Sequence, residues 1–374
     1  MSKKKVLILL PVFDLGGAEK QGFYAAKELK QHGEYDTEIW AFNKSSGNLI
    51  PLIEKEGIPY KNLNIKFSDL NSTKNRIFSY IRVIRLLRKE KFYGLLPFTY
   101  HANLLTAFCF RFAGIKKALW FQIAMEYHIG VGRFEKIGLM FKPVYASNSY
   151  TAGAYIKTRH CLKVDKKVHF IPNPFEVKQE IKSIIEWRAE LGFSDKDFVF
   201  GMVANFYHEK DHLTLLKSVK ILKEKGAKFK LILVGDNTRE DNYILSLKSF
   251  ILDNELYDIV KFAGVVKDIP GLLKSLNCAL LTSTTEGSPN ALIEYVAYGI
   301  PVIVSNIGPN IEIVGKEYPY IFKAADTVLL TEKMEEMISK SEELSSLLKS
   351  NQDRVLSTFN QEENLKAFLE ILDN

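Results

Sequence analysis

With 374 residues, 47% of them hydrophobic and 25% charged, the chain has apolar material for two or three packed domains and is not a disordered sequence. The formal charge of +7 is a mild basic excess that favours anionic partners, but the basic residues are scattered, so no nucleic acid is expected as a partner. Cys109, Cys161 and Cys278 are too few and too far apart for a disulfide framework or a cysteine metal site, and no run of about 18 apolar residues is present to span a membrane.

The first apolar run, Val6–Phe13, has the length of a strand. It leads into Gly16-Gly17, a tight turn, and a helix from about Ala18 to Gln31 that Gly33 stops. The N-terminus, MSKKKVLILLPVFDLGG, has the basic start of a signal peptide, but its apolar stretch is short and Asp14 follows in place of a cleavage site. Strands are expected next at TEIWAF, YGLLPFTY, KALWFQIAM and PVYASNS, with helices around Ile77–Lys89 and from about Asn103. After a polar stretch around Phe175–Phe193 the alternation resumes. FVFGMVANF is followed by a helix over Leu213–Lys225, then KLILVGD, a helix near Tyr243–Leu252, IVKFAGV, IPGLLKSL and CALLTST. The C-terminal stretch, rich in Lys, Glu, Ser and Leu, reads as helices.

Apolar strands alternating with helices specify a parallel sheet covered on both faces, so the expected class is α/β, with two doubly wound domains facing one another. In open parallel sheets ligands bind beyond the carboxyl ends of the strands. That rule puts Gly16-Gly17, Asn205–Lys210, Gly235, Gly264 and Glu286–Asn290 along a shared rim.

The segment EGSPNALIEYVAYGIPVIVS, residues 286–305, carries two glutamates and no other charge. Ser288 and Pro289 predict a helix start, with serine as N-cap and proline at the first helical position, and Gly299 and Pro301 predict its end. Asn290 and Glu294 then share a helix face, and the Glu294 side chain leans toward a helix end that attracts anions. A carboxylate there suits the acceptance of hydrogen bonds from hydroxyls beside a phosphate, as in a ribose. A buried ion pair with a distant lysine or arginine is the other reading.

Weaker signals surround it. DLGGAEK opens a helix after the first strand, yet lacks the G-x-G-x-x-G spacing of a dinucleotide site. Lys210, in ANFYHEKDH, is either a point charge for a diphosphate or a surface lysine. His101, in FTYHANLL, is expected at a strand end, as a substrate contact or as a packed residue, with Glu126 and His128 as reserve candidates. Arg82, Arg85 and Lys89, in YIRVIRLLRKEKF, share a helix face that fits either an anionic membrane surface or solvent. No metal is expected, and there are no paired cysteines.

Taken together these residues resemble the family 4 (group 1) glycosyltransferases, retaining enzymes of the GT-B fold, over nearly the whole chain. EGSPNALIE matches the family's E-x7-E motif at Glu286 and Glu294, GGAE at 16–19 its N-terminal glycine loop, and EKDHLTLL its lysine segment. TYHANLL looks like its first-domain histidine region, and ASNS and IPNP resemble stretches before the interdomain crossing.

The resemblance implies two Rossmann-like domains facing across a cleft. Residues 1–175 would form the acceptor-side domain, 176–355 the nucleotide-sugar domain, and 356–374 a helix returning to the first. It implies that Glu286 and the backbone of Gly287, Ser288, Pro289 and Asn290 hold the donor sugar. The helix start at Asn290, Ala291 and Leu292 would receive the diphosphate, and Glu294 would bind the ribose. Lys210 would clamp the diphosphate beside Gly16 and Gly17, and His101 would contact the sugar near its anomeric carbon. Ala204-Asn205-Phe206 stands where the family often has Gly-Arg-Leu, so a second fixed cation is missing from Asn205.

The implied function is transfer of a sugar from a UDP- or GDP-sugar, with no cofactor or metal, to a glycan or lipid-linked acceptor in surface polysaccharide synthesis. The implied place is the cytoplasm or the inner face of the plasma membrane. The alternatives are a GT-B epimerase, which would need catalytic carboxylates that the sequence does not place, and a non-catalytic nucleotide-sugar-binding subunit.

Overall fold

The computed structural model describes residues 3–125, 131–176, 186–238, 241–340 and 345–373. Two compact units emerge, one of Met1–Pro174 with Phe359–Asn374, the other of Phe175–Thr358.

The first unit is a seven-stranded sheet. Its strands are β1 (Lys4–Val12), β2 (Tyr35–Asn43), β3 (Tyr60–Asn62), β4 (Gly94–Pro97), β5 (Lys117–Gln122), β6 (Val144–Ser147) and β7 (His169–Phe170). Their spatial order is β3-β2-β1-β4-β5-β6-β7, every pair parallel. The helices are α1 (Gly17–His32), α2 (Ile50–Lys55), α3 (Thr73–Glu90), α4 (Tyr100–Ala113), α5 (Arg133–Met140) and α6 (Tyr150–Arg159). Residues 6–10 are all buried, because alternate side chains feed the two faces. Val6, Ile8 and Leu10 meet Ala26 and Leu29 of α1 on one side; Leu7 and Leu9 meet Val83, Leu87 and Leu105 on the other.

The second unit holds β8 (Val199–Val203), β9 (Lys230–Val234), β10 (Val260–Gly264), β11 (Cys278–Leu281), β12 (Val302–Ser305) and β13 (Ile321–Phe322), in the order β10-β9-β8-β11-β12-β13. Its pairs are also parallel. The helices are α7 (Trp187–Glu190), α8 (His212–Glu224), α9 (Asn242–Asp253), α10 (Ile269–Lys274), α11 (Asn290–Ala297), α12 (Gly308–Val314), α13 (Thr327–Lys340) and α14 (Ser345–Thr358). Both sheets reverse their order beside their first strand, which places a switch point between β1 and β4 and another between β8 and β11.

The last helix, α15 (Gln361–Asp373), packs on the first unit. Phe368, Ile371 and Leu372 join the core around Val6 and Ile8. The Tyr93 hydroxyl donates to the Leu372 carbonyl at 2.8 Å, and Lys4 pairs with Asp373 at 2.9 Å.

Two expectations about local structure need correction. The helix after Glu286 starts at Asn290, with Pro289 in the capping position at φ −75° and ψ 106° and no side-chain cap, so Ser288 does not cap it. Proline there supplies the extended turn into the helix by its fixed φ. The helix expected from Asn103 starts at Tyr100, so His101 lies in a first helical turn and not at a strand end.

Candidate functional site

In the second unit the carboxyl ends of β8 and β11 carry the charged groups. β8 runs into Ala204, Asn205 and Phe206, then a short 3-10 turn, His208–Lys210. β11 runs into Thr282, Ser283, Thr284 and Thr285 before Glu286. The Thr282 hydroxyl donates to the carbonyls of Lys210 and Asp211 at 2.8 and 3.1 Å, and the Thr284 N–H donates to the Glu209 carbonyl at 2.8 Å. These bonds hold the lysine loop against the glutamate loop.

Lys210 then meets Glu286, its Nζ 2.5 Å from Oε1, with the two side chains 24% and 10% exposed. The Ser283 hydroxyl donates to the same oxygen at 2.7 Å. Behind Ser283 a buried polar column continues. Ser305 Oγ donates to the Ser283 carbonyl at 2.5 Å, and Asn310 Nδ2 donates to Ser305 Oγ at 3.0 Å. Ser283, Ser305 and Asn310 are all fully buried, so the carboxylate is held by a relay of neutral groups running from α12 to the rim.

Gly287 and Pro289 are buried, and Ser288, Asn290 and Ala291 half-buried, leading into the eight-residue α11. Asn290 and Ala291 open the helix at its positive end. Leu292 anchors this turn in the core, and half-buried Glu294 follows one turn on. Glu286 and Glu294 both lie near the Tyr295 phenol. Burial pushes its ionisation upward, and the two carboxylates add to the effect. Tyr295 in turn accepts from the Val203 N–H at 2.6 Å, tying α11 to the end of β8. Asn205 is exposed on the β8 loop. Gly235 is required beside that loop, because a Cβ there would collide with the Ala204 carbonyl.

The stretch His208-Glu209-Lys210-Asp211-His212 has the H-E-x-x-H spacing of helical zinc sites, yet its conformation differs from theirs. Asp211 at φ 50° breaks the turn, and His212 is fully buried against Phe206, its titration pushed down to about 3 by burial and then by Lys210. The two imidazoles therefore do not share a helix face. Among the described residues no group of three or more His, Cys, Asp or Glu could hold a metal ion.

In the first unit, Gly16 and Gly17 end the β1 loop, and Gly16 caps α1 with extended backbone. A Cβ on Gly16 would collide with the Glu19 carboxylate, which folds back over the cap. Burial raises the Glu19 ionisation, with Asp14 adding to the rise. Asp14 pins the loop by accepting from Ser46 Oγ at 2.5 Å and the Gly47 N–H at 3.1 Å. In the first turn of α4, His101 stacks on Phe67 with centroids 5.0 Å apart, and burial followed by the charge of Arg76 lowers its ionisation, so the ring is neutral at pH 7. Glu126 and His128 lie outside the described residues.

The sequence did not single out Thr282, Ser283, Ser305 and Asn310. A run of small hydroxyl residues, TSTT, directly after a buried strand was the available signal.

The two open parallel sheets, each with a switch point at its central strands, define the GT-B class of fold. Alr3699/HepE of Anabaena, solved in complex with UDP-glucose, superimposes with a TM-score of 0.81 at 19% identity, over 99% of this chain and 100% of that one. Residues 183–354, which make up most of the second unit, match the family model described as glycosyl transferases group 1. EpsF of Bacillus subtilis is 29% identical over 144 residues, which are 38% of this chain and 36% of that protein. The UDP-Gal:alpha-D-GlcNAc-diphosphoundecaprenol alpha-1,3-galactosyltransferase of Escherichia coli is 25% identical over 252 residues, 64% of each chain. The chain thus spans between about a third and two thirds of the length of these two curated relatives.

Proposed function

We propose that the chain is a retaining glycosyltransferase that moves a hexosyl or N-acetylhexosaminyl group from a UDP-sugar to a glycan or lipid-linked acceptor, in surface polysaccharide synthesis. The observation that carries this reading is the Lys210–Glu286–Ser283 cluster at the entrance to α11, with Glu294 one turn inside the helix. A diphosphate at Asn290 and Ala291 would meet the positive end of the helix and the Lys210 ammonium. Both stabilise negative charge that grows as the bond to the sugar breaks. Glu286 would accept from sugar hydroxyls and Glu294 from the ribose. His101 keeps the sugar contact that the resemblance gives it, as a neutral ring that can donate or accept. Transfer on one face of the sugar, with the departing phosphate taking the acceptor's proton, uses these groups without an enzymic nucleophile.

Two further parts belong to the proposal. The diphosphate charge is met by Lys210 and the helix end, so turnover does not depend on a metal ion. The chain also docks on the inner membrane leaflet through α3, whose outward stripe carries Lys74, Phe78, Ile81, Arg85 and Lys89. Phe78 is 63% exposed there, an aromatic ring amid cations. No described helix is long and apolar enough to cross a membrane.

The decisive experiment offers UDP-glucose, UDP-galactose, UDP-N-acetylglucosamine and GDP-mannose to the purified chain. A rise in melting temperature and slow release of UDP, unchanged by EDTA, are expected with at least one UDP-sugar. Tight binding without nucleotide release, in the presence of lipid-linked acceptors, would make the protein a binding subunit. Loss of release in EDTA and its recovery with magnesium would overturn the metal-free scheme.

A further inference from the structure

We propose that the buried ion cluster around Glu135, together with the strained backbone of Thr99, is a device that positions His101. The inference rests on the sugar-contact role proposed above for His101.

Thr99 lies between β4 and α4 with φ 130° and ψ 167°, a region that β-branched residues almost never occupy. Such a conformation persists only where the surroundings impose it, and it occurs preferentially at functional sites. The surroundings here grip both ends of the first turn of α4. Asn103, 2% exposed, donates from Nδ2 to the Phe121 carbonyl at 2.8 Å and accepts the Phe121 N–H at 2.7 Å, fixing the turn to β5. At the other end the Tyr100 hydroxyl donates to Glu135 Oε2 at 2.9 Å.

Glu135 is itself held by three partners. Its side chain is fully buried on α5 and receives Arg159 Nε on Oε1 at 2.8 Å, Arg159 Nη2 on Oε2 at 2.9 Å, and His160 Nε2 on Oε1 at 2.8 Å. Burial alone would raise its ionisation, but the bonds from His160, Arg159 and Tyr100 outweigh burial and keep it a carboxylate. Trp120 closes the cluster, edge-on to His160 with centroids 4.6 Å apart. A cluster that served only to join α5 to α6 would need neither a tyrosine on the first residue of α4 nor a strained threonine before it. Both features meet at the residue next to His101. Pinned at Tyr100 and Asn103, the turn leaves the imidazole between them one place to go, stacked on Phe67.

The test uses Tyr100→Phe, which removes one hydroxyl, and Thr99→Gly, which tolerates the same φ without strain. In histidine-labelled protein, the His101 ring resonances should shift or broaden in both variants, while the melting temperature of Thr99→Gly does not fall. Turnover of UDP-glucose should drop by roughly ten- to a hundred-fold in kcat, with KM nearly unchanged, the scale of effect expected of a misplaced group. Combined with His101→Ala, Tyr100→Phe should cause no further loss, and Glu135→Gln, which still accepts a hydrogen bond, should retain more activity than Glu135→Ala. Unmoved His101 resonances, or losses that simply add to that of His101→Ala, would overturn the positioning role. If His101→Ala leaves UDP-glucose turnover intact while the resonances still move, the sugar-contact reading falls and the positioning of the ring stands.

Discussion

The two rims are built on opposite principles. In the second unit a lysine and a carboxylate face each other at the ends of β8 and β11, backed by buried hydroxyls and an amide. In the first unit a neutral imidazole stacks on an aromatic ring, a carboxylate with raised ionisation folds over a glycine, and a threonine is strained. Charge stabilisation calls for preorganised ions and dipoles, and the second rim supplies them. In the proposed function, contact with a sugar or an acceptor calls for shape and placement, a part that would fall to the first rim. The family model matches residues 183–354, within the second unit.

Lys210→Met is the sharpest way to break this division. It leaves the loop bonds of Thr282 and Thr284 in place and removes only the cation. Losing one preorganised group at a developing oxyanion costs about 10²–10³ in kcat. Steady-state release of UDP measures it, and a kcat within a few-fold of the parent would move the charge-stabilising role elsewhere.

The next effect concerns a surface on which only the first unit can act. Tyr80, Val83 and Leu87 bury one side of α3, and Lys74, Arg85 and Lys89 stand exposed on the opposite stripe. Arg82 and Arg88 are less suitable for testing, since they donate to the Leu63 and Phe112 carbonyls and their loss would disturb packing. Each basic residue near an anionic leaflet contributes about 1 kcal/mol, so changing Lys74, Arg85 and Lys89 to Ser should cost about 3 kcal/mol of vesicle binding. Sedimentation with anionic vesicles should show the loss, and the parent should release as salt rises. Equal binding of both proteins would remove α3 from the account.

Glu294→Gln comes third. A carboxylate accepting two ribose hydroxyls contributes charge-assisted hydrogen bonds, and their weakening should cost about 2 kcal/mol of donor affinity with the fold retained. Calorimetry with UDP measures it. Unchanged affinity with a collapsed melting temperature would mean that Glu294 serves as an internal ion-pair partner.

Much of the second rim was legible because its signal is local. EGSPNALIE places two carboxylates and a helix start within one short segment, and apolar strands alternating with helices specify both sheets. The start of α11 was misread because Ser288-Pro289 satisfies a capping rule that the backbone applies one residue later. The first rim was harder to read for physical reasons. The strain at Thr99 is a backbone angle that no composition encodes, and Glu135 meets Arg159 and Tyr100 only through the packing of α5, α6 and α4. His101 could be named as a candidate, but what holds it could not.

The smallest effect separates the two rims by pH. The first charged side chain of α1 is Glu19, buried over Gly16, whereas α11 opens with neutral Asn290 and carries its first charge a full turn in. Burial raises the folded-state ionisation of Glu19 above its ordinary value of 4.5, so the folded state holds its proton more tightly than the unfolded chain does. The favourable contribution is then complete below the unfolded value and is lost as pH rises through the folded one. Glutamine stays neutral throughout. Glu19→Gln should therefore match the parent near pH 4 and gain in melting temperature over it as pH is raised toward 8. A variant that instead loses melting temperature against the parent as pH is raised would show that the ionised carboxylate is held by the N–H groups of α1. The loop of Gly16 and Gly17 would then already carry an internal anion where the resemblance expects it to flank a diphosphate.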